Sequence, residues 1–281
     1  MAGIALADGV ESANVVGYQE FTIPAGQQMA MFGIMFDSVG GGDMTVQDIF
    51  ADQANTFAGG ISRATADNIL YWTGTTYHYL YLNKSGNAAR NGWWCNGGTP
   101  PSGIGNDWGA NNAKCTHVVQ PGDAFWISRY NYADSPLTVK MVGQVVVGQN
   151  AAKPVQINTG MTLIGVPFTA PFIPNPDKVD ASKAKIDWES LGCIGGISRA
   201  TADNLLFWTG TTYHYLYLNK SGNATRNGYW CNGGTPPTSS LNWGSNNQPT
   251  PVVYTPGGAF WYSRYESGAA FTLSFAQPYE L

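Results

Sequence analysis

Four cysteines, three histidines and 18 carboxylates are the side chains of this 281-residue chain with the chemistry to ligate a metal, attack a carbonyl or pass a proton. Cys95, Cys115, Cys193 and Cys231 include no C-x-x-C pair, so their spacing does not point to zinc. They read as two disulfides, Cys95–Cys115 closing one loop and Cys193–Cys231 pinning another to the segment before it. Four cysteines permit three pairings, and buried free thiols are the other reading. Disulfides would imply an oxidising compartment. His78, His117 and His214 lie among aromatic or apolar neighbours without H-E-x-x-H spacing and read as packed, hydrogen-bonded side chains. Ser62 follows Gly60-Ile61, but Ala64 stands where a nucleophile elbow needs glycine. Ser182 to Lys185 has S-x-x-K spacing without the S-D-N and K-T-G partners of that chemistry. Asp67 and Asp203, each followed by Asn, suit a turn or cap more than a calcium ligand. The pattern implies no enzyme, no metal and no cofactor.

Rings carry the positive signal. Trp72, Tyr77, Tyr79, Tyr81, Trp93 and Trp94 recur as Trp208, Tyr213, Tyr215, Tyr217, Tyr229 and Trp230. Such amphipathic rings can fill a core, seat in a pocket of another subunit or stack on sugars.

These residues belong to an internal repeat. Gly60–Pro101 returns as Gly196–Pro237 with 38 of 42 positions identical, the exceptions being Ile69/Leu205, Tyr71/Phe207, Ala89/Thr225 and Trp93/Tyr229. After a one-residue deletion, Pro121–Tyr130 matches Pro256–Tyr265. Looser matches at either end predict two tandem domains, 1–142 and 143–281. In Tyr77-His78-Tyr79-Leu80-Tyr81-Leu82 the tyrosines share one face and His78, Leu80 and Leu82 the other, the period of a half-buried strand. Thr73-Gly74-Thr75 suits a hairpin, and Ala124–Tyr130 is a further strand. Helix is expected only at Asp180–Leu191, stopped by Gly192, and at its counterpart Met44–Asp52. The fold class predicted is all-β, two tandem β-sandwich-like domains with one short helix per repeat. Between strands run two long Gly- and Asn-rich loops, Asn83–Asn112 and Asn219–Asn247.

Charged residues are 11% of the chain, and no basic stripe exists to meet a phosphate backbone, which excludes nucleic acid as a partner. The longest strongly apolar run, Met29–Phe36, is far short of the roughly 20 residues that span a bilayer. Met1 to Ala7 has no basic n-region, although Ala5-Leu6-Ala7 suits the remnant of a signal. Low charge together with 10 Trp, 15 Tyr and 12 Phe favours association.

Gly160-Met161-Thr162-Leu163-Ile164-Gly165-Val166-Pro167 and Pro121-Gly122-Asp123-Ala124-Phe125-Trp126 resemble the GWNLIG-x-P and PGxAFW pattern of secreted bacterial surface modules. The first half departs from it at Met31-Phe32-Gly33-Ile34-Met35, where the proline is missing. The resemblance implies an all-β extracellular or cell-surface module and brings no catalytic residues. The expectation is a subunit that assembles with copies of itself into a filament, tubule or surface layer. Contacts would come from the aromatic loops and from strand edges at Val15–Thr22 and Ala270–Tyr279. The alternative is a carbohydrate-binding or adhesive module using both sets of rings on a polysaccharide.

Overall fold

Alternation of apolar and polar side chains, punctuated by glycine, dictates short antiparallel strands, and the chain is all-β. The computed structural model describes residues 16–50, 56–101, 108–146, 152–266 and 268–276. In the first half, β1 (Val16–Ile23), β2 (Met29–Gly33), β3 (Phe36–Asp37) and β4 (Met44–Thr45) precede a single helical turn, α1 (Val46–Phe50). Then come β5 (Asn68–Trp72), β6 (Tyr77–Leu82), β7 (Trp94–Asn96), β8 (Val118–Val119), β9 (Ala124–Ser128) and β10 (Leu137–Val145). The second half contains β11 (Ala152–Ile157), β12 (Met161–Gly165), α2 (Pro176–Val179), β13 (Asn204–Trp208), β14 (Tyr213–Leu218), β15 (Trp230–Asn232), β16 (Ala259–Ser263) and β17 (Phe271–Ala276). The expected division at Val142 falls inside β10, which pairs with β1 from Leu137 to Gln144.

Each half builds a five-stranded sheet in the same spatial order, β2-β9-β5-β6-β7 and β12-β16-β13-β14-β15. One face of each sheet packs on its own half. Phe32, Ile69, Leu80, Leu82 and Phe125 meet Ile23 of β1 and Leu137, Val139 and Met141 of β10. Ile164, Leu205, Leu216 and Phe260 meet Ile157 of β11 and Leu273 of β17. The opposite faces turn toward one another, where Leu70 and Trp126 share a cluster with Leu206 and Trp261. A pseudo-twofold relation runs through this seam: Gly33 donates its N–H to the Gly257 carbonyl at 2.8 Å, and Gly165 donates to Gly122 at 2.9 Å. The backbones touch here. A Cβ on Gly33 would lie 2.5 Å from the Gly165 Cα, so only glycine permits the crossing.

The helix expected over Asp180–Leu191 is not formed; α2 is one turn that ends at Val179. Asp180 Oδ1 accepts hydrogen bonds from the Ser182 N–H and hydroxyl, a local turn that competes with helix. Ile186 and Trp188 both pack on the core, and residues two apart cannot share a helix face. The first-half helix occupies Val46–Phe50 of its expected range, and residues 51–52 lie outside the described residues. Among the described residues no helix is long and apolar enough to cross a membrane.

Candidate functional site

The repeated rings fall into three environments. Trp72, Tyr77 and Tyr79 of the first half and Trp208, Tyr213 and Tyr215 of the second are partly buried in the seam. Their indole N–H groups cross it: Trp72 donates to the Met161 carbonyl and Trp208 to the Met29 carbonyl, both at 3.1 Å. Trp261 stands edge-on to Trp72 at 5.2 Å, and Trp126 edge-on to Trp208 at 5.4 Å. Rings expected to meet other molecules thus meet tryptophans of the other half within the chain.

Tyr81, Tyr217, Trp94 and Trp230 are interior, none more than 4% exposed. Trp94 and Trp230 are therefore withdrawn as contact residues, because the strands that carry them, β7 and β15, are buried at every position. A carboxamide from a separate element holds each of them. Gln47 accepts the Trp94 N–H and donates to the Trp94 and Cys115 carbonyls, while Asn175 accepts the Trp230 N–H and donates to the Trp230 and Thr250 carbonyls. Trp93 and Tyr229 remain partly exposed. Lys114 caps Trp93 at 3.6 Å, and Lys178 and Lys185 stand 4.1 and 4.0 Å from the Tyr229 ring, cation–π contacts that occupy them.

Asparagines fasten the described parts of the long loops. Asn96 Nδ2 donates to the carbonyls of Trp108 and Ala110, and Asn232 repeats this with Trp243 and Ser245. Each asparagine also bonds a histidine ring nitrogen at 2.8 Å, His78 to Asn96 and His214 to Asn232. Asp67 accepts N–H bonds from Ala58 and Tyr130, and Asp203 accepts them from Ile194 and Tyr265. Asp203 also takes the buried guanidinium of Arg264 and the Tyr262 hydroxyl. These acidic groups fasten loops.

The disulfides are corrected: all four cysteines are free and buried. Cys95 Sγ faces the Trp93 and Arg90 carbonyls and Cys231 the Arg226 carbonyl, so each thiol packs against its own loop. Burial pushes the Cys95 thiol up to about 11 and those of Cys115, Cys193 and Cys231 to about 12. At position 193 the other half carries Phe57, also buried, so the place calls for an apolar side chain and thiol fits it.

No family model, no curated protein and no solved structure matches the chain. Fold and surface therefore carry the functional argument. Two surface features stand out. Ile61 and Ile197, at equivalent positions, are each 70% exposed. Their loops are not slack: Gly60 and Gly196 accept and donate backbone bonds on both sides, and Thr65 and Thr201 close the same turn onto Ser62 and Ser198. On β1, Val16 and Tyr18 are each 57% exposed, and Tyr18 lies opposite Val142, 49% exposed, on β10. Tyr71, His117 and Asp123, none of which the sequence singled out as a binding group, line a cleft at the seam, and His117, expected to be packed and hydrogen-bonded, is packed but has no ring-nitrogen partner among the described residues. Their signal was present: Tyr71/Phe207 is one of the few differences in the repeated block, and His117 and Asp123 align with Val252 and Gly258.

Proposed function

We propose that the chain is a structural subunit that assembles with copies of itself at the cell surface. The observation that carries this reading is β1, an eight-residue strand at the end of its sheet, unpaired on its outer side among the described residues and exposing Val16 and Tyr18 beside Val142. Unpaired edges of this kind accept a further strand unless charge or proline blunts them. Here only Glu20 and Lys140, paired with each other, intervene. A stable association buries roughly 800 Å² per partner. Three side chains supply less, so backbone pairing along β1 has to contribute. The exposed isoleucines at 61 and 197 offer the same apolar point twice, as an extended array of equivalent neighbours requires. The part of the expected edge at Val15 and at Gln277–Tyr279 lies outside the described residues. The aromatic loops play no part in this proposal, since their rings are engaged internally. Extracellular placement rests on the likeness of residues 121–126 and 160–167 to secreted modules; free thiols remove the disulfide argument for it.

Sedimentation and negative-stain microscopy over a concentration series test the reading. Ordered polymers are expected from the native sequence, and Val16→Lys with Tyr18→Lys should leave folded monomers with an unchanged thermal midpoint. A native chain that stays monomeric at every concentration, or a charged variant that polymerises as before, refutes it.

A further inference from the structure

A cleft of about 450 Å³ opens where the first-half sheet meets the second half, between Tyr71, His117 and Asp123 on one wall and Gln156 and Asn158 on the other. The volume lies within the roughly 300–1,000 Å³ of small-molecule sites. His117 is 2% exposed, stacked on Trp108 at 3.7 Å, and among the described residues neither of its ring nitrogens has a hydrogen-bond partner. Buried unpartnered polar atoms cost about 1–3 kcal/mol each, so a group carried without a partner calls for an explanation. Beside it Asp123 accepts the Gln120 N–H at 2.9 Å, and the Tyr71 hydroxyl lies near its carboxyl.

The other half shows what this place becomes when packing alone is served. Phe207, Val252 and Gly258 replace Tyr71, His117 and Asp123, and Tyr254 fills the space. Its ring lies 4.7 Å from Phe207, its hydroxyl donates to the Ala259 carbonyl, and a Cβ on residue 258 would come within 2.5 Å of it. The corresponding cleft, lined by Trp208, Trp243 and Tyr254, shrinks to about 250 Å³. One copy of a nearly identical scaffold narrows this cleft with Phe207 and Tyr254, and the other keeps Tyr71, His117 and Asp123 around a larger space.

We propose that the first-half cleft binds a neutral saccharide unit, with His117, Asp123 and Tyr71 as its hydrogen-bonding wall. A neutral imidazole offers one donor and one acceptor, the carboxyl a strong acceptor, and Gln156 and Asn158 amides of both kinds, the mixture that ring hydroxyls require. An anionic ligand would oppose Asp123. Among the described residues no three His, Cys, Asp or Glu side chains converge to hold a cation. An apolar ligand would leave the wall's polar atoms unpaired. This site is separate from β1 and does not depend on assembly.

The test is saturation-transfer NMR and tryptophan fluorescence with free neutral hexoses and N-acetylhexosamines, neutral oligosaccharides and glucuronic acid. Three substitutions copy the residues of the other half: Tyr71→Phe, His117→Val and Asp123→Gly. At least one neutral sugar should bind, preferred over glucuronic acid, and the triple variant should weaken it tenfold or more, while Phe207→Tyr leaves it unchanged. Should the triple variant not fold, Tyr71→Phe alone should weaken binding several-fold. A free sugar binding as well as its oligosaccharide marks a pocket for one unit, and stronger oligosaccharide binding marks a chain ligand; both support the site. No binding by any neutral sugar, preference for glucuronic acid, or binding indifferent to these substitutions overturns it.

Discussion

Trp72 donates its indole N–H to the backbone carbonyl of Met161 at 3.1 Å, and the equivalent Trp208 donates to Met29 at the same distance. Neither bond lies within one half. Together with the Gly33–Gly257 and Gly165–Gly122 backbone bonds they fasten two five-stranded sheets face to face, and they consume the side chains that the sequence displays most conspicuously.

The halves should therefore unfold as one. Trp126 belongs to the first half but packs on Trp208 and Tyr213 of the second, at 5.4 and 6.4 Å. Trp126→Ala should cost about 3–5 kcal/mol through loss of a buried aromatic. Trp72→Phe should cost about 1 kcal/mol through loss of one hydrogen bond. In urea unfolding, both variants should give a single transition, coincident by fluorescence and circular dichroism. Two separated transitions in Trp126→Ala would show that the seam carries little energy.

The strand period and the repeat were legible in the residues. Leu80 and Leu82 point into the first-half core while Tyr77 and Tyr79 point to the seam, as alternation requires. What alternation does not tell is what covers the second face, because a sheet facing solvent, another molecule or its own duplicate uses the same amphipathic rings. Charge patterning misled at Asp180–Leu191, where lysines and acids at helical intervals outweighed the two-residue spacing of Ile186 and Trp188. Gln47 and Asn175 show a different limit. They perform one task on the backbones of Trp94 and Trp230 from segments whose sequences barely align, since a carboxamide of either length can pair with an N–H and two carbonyls. The cleft was visible only as three differences between copies, at Tyr71/Phe207, His117/Val252 and Asp123/Gly258, each of which removes a polar group.

The cysteines give a direct chemical check. Thiols held near 11 or 12 expose less than about one part in a hundred as thiolate at pH 8, and all four are buried. Ellman's reagent should find almost no reactive thiol in the native protein and all four of them in denaturant, and added reductant should leave the thermal midpoint unmoved. Mass mapping that finds a cystine in the native chain would contradict the free-thiol arrangement.

Acidity should pull the cleft in two directions. Burial drags His117 down to about 4, below the roughly 6.5 of an unfolded chain, so its contribution to stability is complete above pH 6.5 and is lost as pH falls through 4. Burial raises Asp123 to about 6, above the roughly 3.9 of an unfolded chain, so its contribution is complete below pH 4 and is lost as pH rises through 6. Each shift of two units or more corresponds to about 3 kcal/mol, and between pH 4 and 6.5 the two slopes oppose each other. His214, also lowered by burial, acts alike in native protein and variants and cancels in the difference, while His78, whose charge also lowers His117, belongs to the His117 effect. Relative to the native sequence, His117→Val should gain about 3 kcal/mol on going from pH 7 to pH 4, and Asp123→Gly should lose a similar amount, by urea unfolding at fixed ionic strength. Parallel pH profiles for the native protein and both variants would show that neither group is held in the state its surroundings impose.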